Sequence, residues 1–245
     1  MAGRAVQRDA GGLTLFQEQE QLFTLPSSSF PPMTIIAALP PAVLWAASFA
    51  ASTDAHKGTI CAIDARLHAK GSSVRIAAVD GHRCLRCYVP LLDCHYVPEE
   101  PLRLAPKAFS KSPVKKAVLV EIDDGGVAFF KDTHGNVLYS TPWFPDPWAS
   151  GEQEFPNIDQ IWPKDNALVC KPEDLVAMNA SYVGDMMKIV DKIGEANNVV
   201  RLFTTDSPVD PIVWRATMDK SWLKQETEET VWLDYLLMPV QMRKP

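Results

Sequence analysis

From Met33 onward the chain switches between two hydrophobic periods, and the switches mark its elements. "MTIIAAL" suits a strand, and "GTICAIDARLHA", "SVRIAAV" and "RCLRCYVPL" alternate apolar and polar positions as half-buried strands do. Breaks at Lys70-Gly71 and Asp80-Gly81 read as tight turns. Between the first strand and the second, residues 41–53 predict a helix with proline in its first turn, where the missing N–H costs nothing.

The same order then returns. "EEPLRLAP" predicts a strand, residues 106–116 a lysine-rich helix, and "AVLVEID", "GVAFFKD" and "VLYSTPW" three strands parted by Asp124-Gly125-Gly126 and His134-Gly135-Asn136. After a loop rich in Pro and Trp, "PWFPDPWASGEQEFPNIDQIWPKDN", comes a third pass. There "ALVCKP" is the strand, residues 173–193 the helix, and "NVVRLFTT", "PIVWRAT" and "VWLDYLLMPVQM" the last strands. One supersecondary unit repeated three times predicts an α+β fold, with antiparallel sheets carrying helices on one face. The expected organisation is a tail or linker over residues 1–32, with short strands at 13–16 and 22–25, a two-unit domain over 33–150, and a one-unit partial domain over 151–245.

Composition narrows the function. Lys and Arg number 24 against 30 Asp and Glu, a formal charge of −6, so any contact with nucleic acid has to be local rather than spread over the surface. Five cysteines form no regular framework, no apolar leader opens the chain, and the longest apolar run is broken by Pro40 and Pro41. The expectation is a cytoplasmic protein with reduced thiols and no membrane span.

Chemistry-bearing candidates are few. Cys84, Cys87, Cys94 and His95 offer four potential zinc ligands, but a strand over 82–90 turns Cys84 and Cys87 to opposite faces, whereas zinc and redox CxxC pairs need a turn or a helix start. Buried, unreactive thiols are the expectation, with no metal and no cofactor. Asp80 and His82 could orient one another for acid–base work, yet an Asp-Gly hairpin accounts for them, and no GxSxG, Walker, HExxH or GxGxxG motif is present. The chain is read as not an enzyme. Lysines are the better lead. Lys107, Lys111 and Lys115 recur at i, i+4 and i+8, and Lys188 and Lys192 at i, i+4, although a solvated helix face is the ordinary explanation of any one stripe and Pro113 interrupts the first.

Three short stretches in this order carry a resemblance. "AAVDGHRCL" is similar to the ATDGHRL turn of the bacterial DNA polymerase III β sliding clamp family, "EFPNIDQIWP" to its FPDYxxxxP segment, and "YLLMPVQM" to its closing YVVMPMRL. The similarity runs from about Leu39 to Met242. It implies a ring-shaped processivity factor of DNA replication in which these segments converge on an apolar pocket for short peptides of the polymerase, the clamp loader and repair proteins. Carried over, the pocket would comprise Ile60, Gly81, His82, Arg83, Pro156, Ile161, Leu236, Leu237, Met238, Pro239, Val240 and Met242. Methionines suit such an adaptable floor, and Pro239 suggests that the last strand lies at a sheet edge, open to a partner. Lys107, Lys111, Lys115, Lys188 and Lys192 would face double-stranded DNA and meet phosphates without reading bases.

The chain departs from the pattern at Val79, Cys84 and Gln241, where the family has Thr, Leu and Arg, and it ends with an additional "RKP". It holds three units where a clamp subunit has six. A twelve-unit ring would need four such chains, or three if the tail supplied strands. The alternative is a non-encircling clamp-like dimer or monomer that binds or competes for replication and repair proteins. A shortened chain of either kind suits a phage or mobile element.

Overall fold

The computed structural model describes residues 33–54, 57, 60–68, 71–91, 95–111, 116–144, 155–164, 178–195, 199–205, 210–223 and 229–239. The tail 1–32, the strand expected at 167–172, and Lys115, Val240 and Met242 lie outside these residues.

The first unit runs β1 (Ile35–Leu39), α1 (Pro41–Ala50), β2 (Ile63–His68), β3 (Ser73–Val79) and β4 (Arg83–Pro90). The second runs β5 (Leu102–Leu104), α2 (Pro106–Ser110), β6 (Leu119–Asp123), β7 (Val127–Lys131) and β8 (Val137–Pro142). A short helix α3 (Ile158–Ile161), which the sequence reading did not anticipate, precedes α4 (Ala180–Ile193), β9 (Val200–Phe203), β10 (Ile212–Thr217) and β11 (Trp232–Leu237).

All pairing is antiparallel. One sheet has the order β1-β6-β7-β8 and the other β5-β2-β3-β4-β11-β10-β9. The first strand of each of the first two units therefore sits in the other unit's sheet, and β4 and β11 join the third unit to the first. Because side chains alternate along a strand, each strand of the longer sheet gives one set to the helices and the other to the opposite face. The main core takes Ile63, Ile76, Leu85, Leu233 and Tyr235 from that sheet, Val120, Ile122 and Phe130 from the shorter one, and Phe109 from α2.

The helices differ in kind. Apolar nearly all round and without a charged residue, α1 is buried at Pro41, Ala42, Val43, Leu44, Ala46, Ala47 and Ala50, as a helix of that composition must be. In α4 only Met186, Ile189, Val190 and Ile193 are buried, a stripe at i, i+3, i+4 and i+7, and Asn179 caps its start by accepting from the Ser181 N–H.

Three expectations need correcting. Helix α1 ends at Ala50 rather than residue 53. Helix α2 is five residues long, with Lys111 already its non-helical C-cap at φ −112° and ψ 14°, so Lys107 and Lys111 do not form a stripe along one helix. Strand β11 is central, not an edge: it lies between β4 and β10 and ends at Leu237, so Pro239 falls past the last paired residue and never needs an N–H to donate.

Candidate functional site: a hairpin turn against the end of β11

The β3–β4 hairpin closes on Gly81 and His82. Asp80 N–H donates to the Arg83 carbonyl at 3.1 Å, and the Asp80 carboxylate accepts from the His82 and Arg83 amides at 2.9 and 3.0 Å. Gly81 sits at φ +93°, as the first central residue of a two-residue hairpin loop often does and a side-chain-bearing residue resists. Asp80 is thus a turn-former, consistent with the structural reading of the Asp-His pair.

Register places this turn beside the end of β11. Leu236 pairs with Cys84 and Leu237 with Arg83, and the Met238 N–H donates to the His82 carbonyl at 2.9 Å. Gly81, His82 and Met238 are exposed there, Arg83 and Pro239 half-buried. Leu236 and Leu237 are both buried but face opposite ways, Leu237 into the main core and Leu236 into a second cluster.

That cluster lies on the sheet face away from α1 and α4. Ala77, Val79, Cys84, Val213 and Leu236 form its floor, and Phe155, Ile158 and Trp162 cover them, with Ile60 and Phe203 packed alongside. Pro156, half-buried, and Ile161, 48% exposed, belong to the same covering segment. The structure thus gathers Ile60, Gly81, His82, Arg83, Pro156, Ile161, Leu236, Met238 and Pro239 around one end of the sheet, while Leu237 turns away. Cys84 and Cys87 point to opposite faces, Cys84 into this cluster and Cys87 into the main core. Burial pushes the Cys84 thiol up to about 12, nearby Arg86 and Arg75 offsetting it only in part.

Arg83 ties the turn to α4. Its guanidinium donates to Asp80 at 2.8 Å, to Asp185 at 2.6 Å and to the Tyr235 hydroxyl at 3.3 Å, and lies 4.5 Å from the Tyr182 ring centre. Burial works against its charge, but Tyr235, Asp185 and Asp80 outweigh it and raise its pKa above the ordinary value. His82 stacks on the same Tyr182 ring, with 6.4 Å between ring centres. Tyr182 and Asp185 were absent from the sequence-based set, and nothing in local spacing points to them.

The covering segment is held by charge. Asp159 accepts from Arg75 at 2.8 Å and from Arg86 at 3.4 Å, and Arg86 lies 3.8 Å from the Trp162 ring centre. Arg86 belongs to a ladder across the sheet, and Arg75 reaches that ladder through Asp64. Arg103, Asp64, Ala77, Arg86, Asp234, Arg215 and Arg201 are successive cross-strand partners from β5 to β9, and the fully buried Asp64 receives Arg66, Arg75 and Arg103. Buried charge of this kind persists only when paired.

Of the expected DNA-facing lysines, Lys107 lies in α2, Lys111 at its C-cap, and Lys188 and Lys192 in α4. Lys107, Lys111 and Lys188 are exposed and Lys192 half-buried; Lys188 pairs with Asp185 at 3.1 Å.

Solved structures similar to this chain include DNA sliding clamps. The Helicobacter pylori β clamp in complex with diflunisal aligns with a TM-score of 0.58 at 11% identity, over 87% of this chain and 68% of its own. The Bacillus subtilis DNA polymerase sliding clamp gives 0.55 at 15% over 89% and 68%, and the β subunit of Streptococcus pyogenes DNA polymerase 0.55 at 16% over 91% and 69%. The fold is that of the sliding clamps. At these identities the likeness is one of fold, and about a third of each clamp has no counterpart in this chain. No protein-family profile and no curated protein sequence matches.

Proposed function

We propose that this chain is a clamp-like, non-enzymatic accessory of DNA replication that receives a short apolar peptide of a polymerase or clamp loader where the Asp80–Arg83 turn meets the end of β11. The observation carrying this reading is the hydrogen bond from Met238 to His82, which brings two sequence-distant segments together beside an exposed methionine and Ile161. An apolar rim with a few polar groups suits a peptide anchored by one or two large side chains. On this reading Lys107, Lys111, Lys115, Lys188 and Lys192 contact DNA phosphates without sequence preference, in the cytoplasm.

A labelled peptide from a replicative polymerase's clamp-binding segment should bind with an affinity that Met238→Ala lowers at least tenfold, read by fluorescence anisotropy. Unchanged affinity in Met238→Ala refutes the placement of the site. A second reading, a non-encircling dimer or monomer that binds replication proteins without holding DNA, is favoured by one feature. Helix α1 carries no charge, and on α4 Asp185 and Asp191 balance Lys188 and Lys192. Retention on nicked circular DNA that is lost on linearisation supports encirclement; equal loss from both supports the second reading.

A further inference from the structure

The longer sheet turns arginine to its face away from α1 and α4. Arg66, Arg75, Arg86, Arg103, Arg201 and Arg215 lie there, and the carboxylates that meet them are Asp64 and Asp234 from the same strands and Asp159 from α3. Six guanidinium groups against three carboxylates leave a local excess of positive charge in a chain whose formal charge is −6. Arg201 is exposed and makes no ion pair among the described residues. From Arg103 on β5 to Arg201 on β9 the ladder crosses seven strands, about 29 Å at about 4.8 Å per step.

Aromatic rings are interleaved with this charge. One row along from the ladder, Arg66, Arg75 and Tyr88 are successive cross-strand partners, and Trp232 stands two residues before Asp234 on the same face. Arg86 lies 5.3 Å from the Tyr88 ring centre, and Arg201 and Arg215 each lie 5.9 Å from that of Trp232. His68 sits against Tyr88 with 4.5 Å between ring centres. His68 is exposed, and Tyr88 and Trp232 are half-buried, so all three rings keep surface open to a ligand.

We propose that this face is a platform for single-stranded nucleic acid, with phosphates over the arginines and unstacked bases on Tyr88, Trp232 and His68. Basic charge that tracks a backbone, combined with rings that take bases, is the arrangement by which such strands are held without sequence preference. A duplex keeps its bases stacked on one another and leaves the rings unmatched. An acidic peptide would answer the guanidinium groups alone, whereas a single strand answers charge and rings together. The platform lies on the opposite face of the sheet from α4, whose lysines were assigned to duplex phosphates, and it does not rest on the peptide site.

The full chain should bind a labelled oligothymidylate of about 12 nucleotides, a length within the range such platforms cover, as read by fluorescence anisotropy. Trp232→Ala and Tyr88→Ala should each weaken binding about tenfold, in line with the loss of one base–ring stack, and Trp232→Phe, which keeps a ring, should weaken it less. Arg201→Ala changes an exposed side chain, so the fold is kept; it should weaken binding and lower the salt slope by about 0.7. Binding of an oligouridylate of equal length also supports the platform, and the tighter of the two strands tells DNA from RNA. A duplex of that length that binds more tightly than the single strand overturns the proposal, and polyglutamate that does so overturns it in favour of an acidic protein. It is overturned equally by an affinity that Trp232→Ala and Arg201→Ala leave unchanged, or by no binding at about 100 µM protein.

Discussion

Replacing Arg83 by alanine is the most telling single perturbation, because this side chain serves three elements at once. Arg83 is 12% exposed, Asp80 11% and Asp185 17%, so removing the guanidinium takes the main charged partner from two carboxylates in a largely dry setting, leaving Asp80 only its two amide donors. Asp185 keeps only Lys188, which is 67% exposed and held weakly by solvent screening. Breaking a buried pair from one side costs about 3–5 kcal/mol; the partial exposure here brings that to about 2–4 kcal/mol, from which the lost Tyr182 contact is not separable. For a chain of this size the melting temperature should fall by roughly 5–15 °C. Calorimetry and urea unfolding measure the loss, and a cycle with Asp185→Asn isolates the pair. Arg83→Lys should recover only part of it, since one ammonium cannot fork between Asp80 and Asp185. A loss under about 0.5 kcal/mol in Arg83→Ala, or no coupling to Asp185, would refute the assignment of Arg83 as the strut between turn and helix.

Three further outcomes follow from single sites. With its thiol pushed up to about 12, Cys84 should alkylate roughly a thousandfold more slowly at pH 8 than an ordinary cysteine, and become reactive only in denaturant; site-resolved mass spectrometry that finds it labelled in the folded protein contradicts its burial. Gly81→Ala should cost about 1–2 kcal/mol because of its φ of +93°, whereas Gly184→Ala, inside α4 with nothing within 4 Å of the added Cβ, should gain about 0.5–1 kcal/mol; equal effects in urea unfolding would discount the backbone argument. Burial lowers the pKa of His95, the Pro90 carbonyl offsetting this in part, so the neutral ring's contribution is complete above the unfolded value of about 6.5 and is lost as pH falls below it. Urea midpoints between pH 7 and pH 5 should therefore fall less in His95→Leu than in the parent, and parallel falls count against the linkage.

Local pattern carried the elements well because their causes are local. Two-residue alternation identified β3 and β4 nearly to the residue, and Asp80-Gly81 marked the hairpin between them. The end of α2 and the central place of β11 were not legible, for they depend on what packs nearby: Pro239 looked like an edge residue only because the strand's end at Leu237 could not be seen. The exchange of β1 and β5 between sheets is likewise a matter of cross-strand register. Of the candidate site, Gly81, His82 and Met238 were found through short motifs, whereas Tyr182, Asp185 and Asp159 act across long separations. Most strands of the longer sheet carry a lone Arg or Asp amid apolar residues, and those in "PLRLA", "IVWRA" and "WLDYL" are rungs of the ladder, while Arg75 of "SVRIAAV" joins it through Asp64.

The ladder bears on how such a protein could hold DNA. Arg66, Arg75, Arg86, Arg103 and Arg215 are committed to Asp64, Asp159 and Asp234 on the face away from α1 and α4, so this basic charge contributes nothing on the side of those helices. If the five lysines proposed to meet phosphates all did so, about 0.9 per phosphate neutralised would allow a salt slope of at most about 4–5 per chain, and the pairing of Lys188 with Asp185 lowers it. So small a term cannot retain DNA by affinity at physiological salt. Retention that survives high salt on circular DNA would have to be topological. Asp185 links the two sides of this problem, holding Arg83 with one oxygen and Lys188 with the other. A phosphate that captured Lys188 would leave Asp185 wholly to Arg83, tightening the strut under the turn instead of loosening it.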